Sequence, residues 1–188
     1  MNLKRDSSGV RIKAGWVRGS LIKHLTAIAE VQSQTDFAMM AFQDLKAALA
    51  VKDTRRTWYS VQGFLIAAAN LSKLLYSKQS RCTELRTELG LKDASPIAAR
   101  EVRNSFEHFD ERIEAWEARS KWSDSLVMPL KDLVPGWKVV RHLDPTTFTV
   151  IFGDDRFALL PALEEVRLIR AAADAALRPI LPERRKQR

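Results

Sequence analysis

Cysteine occurs once in the 188 residues, at Cys82, which excludes an internal disulfide and any metal site built on paired thiolates. Histidine is scarce too: His24, His108 and His142 are the imidazoles available for acid–base chemistry near neutral pH. Long apolar runs are missing, and Phe64–Ala69 falls far short of the roughly 20 residues a bilayer span needs. Met1–Gly9 has no hydrophobic centre of the kind a secretory leader carries, so the chain reads as cytoplasmic. A His-Glu-x-x-His pair, a glycine-rich phosphate loop and a Gly-x-Ser-x-Gly elbow are all absent. No cofactor and no metal are expected.

What the chain has in excess is positive charge. The formal net charge is +8 and the isoelectric point near 9.9. Lys4, Arg5, Arg11, Lys13 and Arg18 gather at one end, and Arg184, Arg185, Lys186 and Arg188 at the other. Basic ends suit RNA or another polyanion, because each phosphate contact releases condensed counterions. The plainer alternative is a pair of solvated tails that aid solubility.

The length suits a single domain, able to bury about 70% of its unfolded surface. Residues 1–17 show no periodicity and read as a loose basic N-terminus, and 183–188 as a basic tail; the domain lies between, over 18–182. A first helix is expected from near Ser20 to Ala50. Its stripe is Leu21, Leu25, Ile28, Val31 or Gln32, Phe37, Ala41, Phe42, Leu45 and Leu49, with a slip near Gln32–Asp36. Asp53 or Thr54 then caps a second helix running to about Lys78, with Val61, Phe64, Leu65, Ala68, Leu71 and Leu75 inward. A short helix over Arg81–Leu89 stops at Gly90. Trp122–Gly136, with Pro129 and Pro135-Gly136, reads as an ordered crossing loop. Strand-like runs follow at Trp137–Leu143, Thr147–Phe152 and Arg156–Leu160, divided by turn residues. Pro161 opens a last helix over 161–178. The fold class is mainly α: a four- to five-helix bundle with a small antiparallel β appendage, 137–160, before the last helix.

Between Ser95 and Ser120 lies the strongest amphipathic stretch. Ser95-Pro96 reads as an N-cap with proline at the first helical position. Val102, Phe106, Phe109, Ile113 and Trp116 recur at spacings of 4, 3, 4 and 3, a continuous apolar stripe. Asn104, His108 and Glu111 fall on the opposite face, with Arg103 and Arg112 on its two shoulders. Arg103 can grip phosphate oxygens bidentately, His108 can move a proton, and Asn104 can orient the ring or a substrate oxygen. Arg103 and His108 lie about 7.5 Å apart along such a helix and roughly 140° around it, so one helix does not aim both at one small group. Two copies facing across a two-fold axis do. Arg100 and Arg112 are further candidate nucleic-acid contacts. His24, at the edge of a core stripe, reads as structural, and His142, in a strand beside a turn, as surface packing. Glu107, Asp110, Glu111 and Glu114 read as a charged helix face before they read as a cation site.

Arg103-Asn104-x-x-x-His108 on a helix of an all-helical bundle resembles the HEPN superfamily, whose motif is an arginine, four to six residues, then a histidine. Phe64-Leu-Ile-Ala-Ala-Ala-Asn-Leu-Ser-Lys-Leu-Leu75 is similar to the helix that precedes the motif in such bundles. The resemblance covers about residues 20–120 and leaves the appendage and last helix outside. It implies a metal-independent endoribonuclease acting as a homodimer, often a toxin or antiviral effector with an antitoxin partner. His108 would then serve in acid–base catalysis and Arg103 would bind the scissile phosphate. Other members only bind or scaffold, so a non-catalytic nucleic-acid- or nucleotide-binding module and a protein-interaction scaffold are the alternatives. Arg18 and His24 reach a similar spacing with Gly19 where the polar residue belongs. A solvated face, with Arg103 paired to Glu107, is the competing account of the motif itself.

The charge distribution yields the first prediction. Removing residues 1–17 or 183–188 flattens the salt dependence of nucleic-acid binding without abolishing cleavage. Filter binding of labelled RNA across a salt series measures it, and affinity indifferent to salt contradicts it.

Overall fold

The computed structural model describes residues 7–98, 122–133, 138–153 and 155–178. The first helix, α1, runs from Ser7 to Ala50. It therefore begins inside the stretch expected to be loose, well before Ser20. No proline falls within it, and Gly9, Gly15 and Gly19 are isolated, each a cost of about 1 kcal/mol against alanine and not a stop.

What ends α1 also starts the next helix. Lys52 takes the left-handed conformation, φ +56°, its N–H donates to the Leu49 carbonyl at 3.1 Å, and the Asp53 N–H donates to Ala48 at 2.9 Å. That pairing is a Schellman closure with lysine where glycine is usual. The Asp53 carboxylate then accepts from the Arg56 N–H at 2.9 Å and caps α2, Thr54–Leu75. A tight antiparallel hairpin results. Gly63 lets the two helices approach: a Cβ there would meet the Ala41 Cβ at 3.4 Å.

The predicted inward face of α2 is buried in full, from Val61 to Leu75, with Trp58 also inside. On α1, Ile28, Val31, Phe42 and Leu45 are buried as expected, but Phe37 is not. It is 53% exposed, and Ala38 takes the inward position beside it. Helix α3, Ser80–Glu88, ends as Gly90 predicts. Gly90 sits at φ +64°, its N–H bonds to Thr87 and the Leu91 N–H to Arg86, both at 3.0 Å.

The sheet departs from expectation in one strand. Trp122–Val127, expected as loop, is β1, and it pairs in parallel with β2, Lys138–Asp144. β3 (Thr149–Phe152) and β4 (Asp155–Ala158) continue antiparallel, giving the order β1-β2-β3-β4. The appendage is thus a mixed sheet. A six-residue edge strand with Ser123, Asp124 and Ser125 at its centre lacks the apolar alternation that marks a buried strand. The last helix, α4, spans Leu159–Leu177, and Pro161 sits in its first turn, where its missing N–H is harmless.

Four described α-helices and this small sheet before the last of them make a mainly α fold with a β appendage. α1 packs against both α2 and α4. Leu143, Val150, Phe152 and Phe157 turn one sheet face into the same core. Phe42 is the junction, its ring 6.0 Å from Phe64 on α2 and 5.4 Å from Phe148 at the sheet.

The hairpin turn gives paired expectations for urea unfolding. Asp53→Ala loses the α2 cap and costs about 1 kcal/mol. Lys52→Gly removes the left-handed strain and stabilises by about 0.5–1 kcal/mol. A Lys52→Gly protein less stable than the parent would show that the turn is held by something else.

Candidate functional site

Arg100, Arg103, Asn104, His108, Glu111 and Arg112 all lie outside the described residues, as does the stripe from Val102 to Trp116. What the structure does place is the chain on either side of them. Upstream, the Ser95 hydroxyl accepts from the Ile97 N–H at 3.3 Å, and the Ala98 N–H donates to the Ser95 carbonyl at 3.1 Å. Ser95-Pro96 therefore opens a 3-10 turn, Pro96–Ala98, with the capping role its sequence predicts. Ile97 is 2% exposed, and the turn packs on both α2 and α4. Downstream, Trp122 enters β1 in register with Lys138.

The anchor at Ser95 belongs to a polar cluster that sequence reasoning missed. Arg86 on α3 donates to Asp93 from Nε and Nη2, at 3.0 and 2.6 Å, and from Nη1 to the Leu75 carbonyl at 2.8 Å. The last of these satisfies a carbonyl left open at the end of α2. The same guanidinium lies 5.5 Å from the centre of the Tyr76 ring. The Tyr76 hydroxyl donates to Glu165 on α4 at 3.2 Å and is hydrogen-bonded to Ser95. Burial pushes the Tyr76 phenol above its ordinary value; the Glu165 carboxylate adds to this, while Ser95 and Arg86 oppose it. Arg86 and Tyr76 thus join α2, α3, α4 and the segment entering residue 96. No local motif marks them, because their partners are distant in sequence.

A second polar group lies where the α1 stripe slips. Gln34 is hydrogen-bonded to Asn70 on α2 at 3.2 Å and donates to Glu30 at 2.7 Å. Half a turn away, Gln32 donates to Asp174 on α4 at 2.6 Å. Arg170 pairs with Asp174 at 2.9 Å and with Asp36. These carboxylates hold the guanidinium firmly protonated, above its ordinary value. The slip at Gln32–Asp36 was the visible signal of this band, and its partners were not.

The two remaining histidines have structural places. His24 pairs with Glu88 at the end of α3, in agreement with its structural reading. His142 is 1% exposed, which corrects the expectation of surface packing. Its Nε2 lies 2.7 Å from the Met128 carbonyl, so this nitrogen carries the proton, and Nδ1 has no hydrogen-bond partner among the described residues. Asp144, two residues on and on the same sheet face, accepts from the Thr146 N–H at 2.9 Å and the Thr147 hydroxyl at 3.0 Å, and from the Leu130 N–H. Burial opposes ionisation of Asp144, but these hydrogen bonds outweigh it and hold its carboxyl below the usual range. Together the two side chains fasten the β1–β2 crossover to β2.

Among the described residues no group of three or more His, Cys, Asp and Glu side chains could hold a metal ion. Among the same residues, no helix is long and apolar enough to cross a membrane. Comparison with protein-family models, with curated proteins and with solved structures finds no match to this chain.

The Asp144 arrangement sets an acid limit. Its folded pKa lies below its unfolded value, so its stabilisation is present above the unfolded value and is lost as pH falls through the lower folded one. Melting temperatures from pH 6 down to 2 should fall less steeply for Asp144→Asn, which starts lower at pH 6. Parallel curves would contradict the assignment.

Proposed function

We propose that the chain is a HEPN-like, metal-independent endoribonuclease that works as a homodimer. The observation that carries this reading is Arg103-Asn104-x-x-x-His108 set opposite the apolar stripe Val102, Phe106, Phe109, Ile113 and Trp116. The helical frame of α1, α2 and α4, with Ile97 seated against α2 and α4 just ahead of the motif, supports it. Its setting is cytoplasmic, as a toxin or antiviral effector controlled by an antitoxin protein.

In this reading Arg103 grips the non-bridging oxygens of the scissile phosphate and stabilises charge there. His108 takes the proton from the ribose 2′-hydroxyl as that oxygen bonds to phosphorus. The bond to the 5′-oxygen breaks, that oxygen takes up a proton, and a 2′,3′-cyclic phosphate remains. Asn104 and Glu111 orient these groups, while Arg100 and Arg112 hold flanking phosphates. The net charge of +8 equally favours a module that binds RNA without cutting it, and cleavage separates the two.

His108→Ala should lower cleavage by about 10²–10⁴-fold, measured by gel on a labelled RNA. Arg103→Ala should fall by about 10²–10³-fold, and chelator should leave the parent active. Mixing the two dead variants restores part of the activity if the groups act across the dimer. Activity from a protein shown to be monomeric, or undiminished in His108→Ala, ends this reading.

A further inference from the structure

We infer that the solvent face at the start of α2, formed by Arg55 and Tyr59 beside Lys52 and Arg56, is a docking surface for single-stranded RNA. It rests on the RNA reading above but not on cleavage. Tyr59 is 76% exposed, the most exposed large apolar side chain among the described residues. Arg55, Tyr59, Gln62 and Ile66 are all exposed and follow one another at spacings of 4, 3 and 4, so they share one helix face. Neither Lys52, Arg55 nor Tyr59 has a side-chain partner among the described residues.

The carboxylates nearby are already engaged. Asp53 caps α2, and Asp44 lies 3.9 Å from Arg56 in a pair more than half exposed on both sides. Thr54–Leu75 contains no acidic residue at all. The left-handed turn sets Lys52 immediately before the cap, so cations flank the tyrosine.

This composition fits one class of partner. A single strand offers unpaired bases to stack on Tyr59 and phosphates to meet Lys52 and Arg55. A duplex keeps its bases stacked inside and offers Tyr59 nothing to stack on.

The test uses the full chain carrying His108→Ala, so that RNA stays intact, and fluorescence anisotropy of a labelled oligouridylate across a potassium chloride series. Tyr59→Ala should weaken binding roughly tenfold, the range expected for one lost base stack. Tyr59→Phe keeps the ring and should stay within about twofold of the parent. Arg55→Ala should reduce the slope of log affinity against log salt by about 0.7, the value for one phosphate contact on a single strand. Melting temperatures should be unchanged, since both side chains are exposed. No binding by the parent at low salt, or Tyr59→Ala and Arg55→Ala both binding as the parent does, overturns the inference. Equal loss on a duplex of the same length also overturns it. Tyr59-dependent binding with no cleavage by the native chain leaves this surface standing and removes the nuclease reading; cleavage that depends on His108 alongside silent Tyr59 and Arg55 variants does the reverse.

Discussion

The polar band across α1 at residues 30–36 sets the register of the helical layer. Apolar ridges let long helices slide by a turn at modest cost, since one leucine contact replaces another. Hydrogen bonds do not slide in that way. Gln34 meets Asn70 on α2, while Gln32 and Asp36 meet Asp174 and Arg170 on α4, so one stretch of α1 fixes both neighbours. Shifting either helix by a turn would strand partly buried polar groups, at roughly 1–3 kcal/mol each. The Gly63–Ala41 approach and the Phe42 junction then fall into place around it.

Much of this architecture was legible because its boundaries are written locally. Asp53 and Gly90 act within a few residues of themselves, so a cap and a left-handed stop could be read from the chain and found in place. Phe37 was misread because the stripe pattern treats every large apolar residue as inward. The polar band rotates the contact face just there, and Ala38 fits where Phe37 does not. β1 was missed for a different reason: a parallel edge strand draws its identity from β2, and the partner lies beyond a crossover. His142 was misplaced for the same cause, since the Met128 carbonyl that accepts its hydrogen bond comes from the crossover itself.

For the candidate site, the chemistry-bearing residues were legible as a motif and their support was not. Ser95 could be read as a cap, yet nothing local ties it to Tyr76, Arg86 or Glu165. That cluster converts three helix contacts into one anchored entry at Ile97. Loss of the Arg86 guanidinium would expose the Leu75 carbonyl and free Asp93 together, so the anchor depends on one side chain with several duties.

The bond between Gln32 and Asp174 spans 142 positions of chain. At a synthesis rate of about 5–20 residues per second, α1 must wait on the order of ten seconds for the helix that covers its second face. The α1–α2 hairpin can close early, since its turn is short and both caps are local. The side of α1 that packs against α4 stays uncovered until α4 leaves the ribosome. Such a nascent hairpin is a natural client for a chaperone that shields apolar helices, and docking of the final helix becomes the committed step of folding.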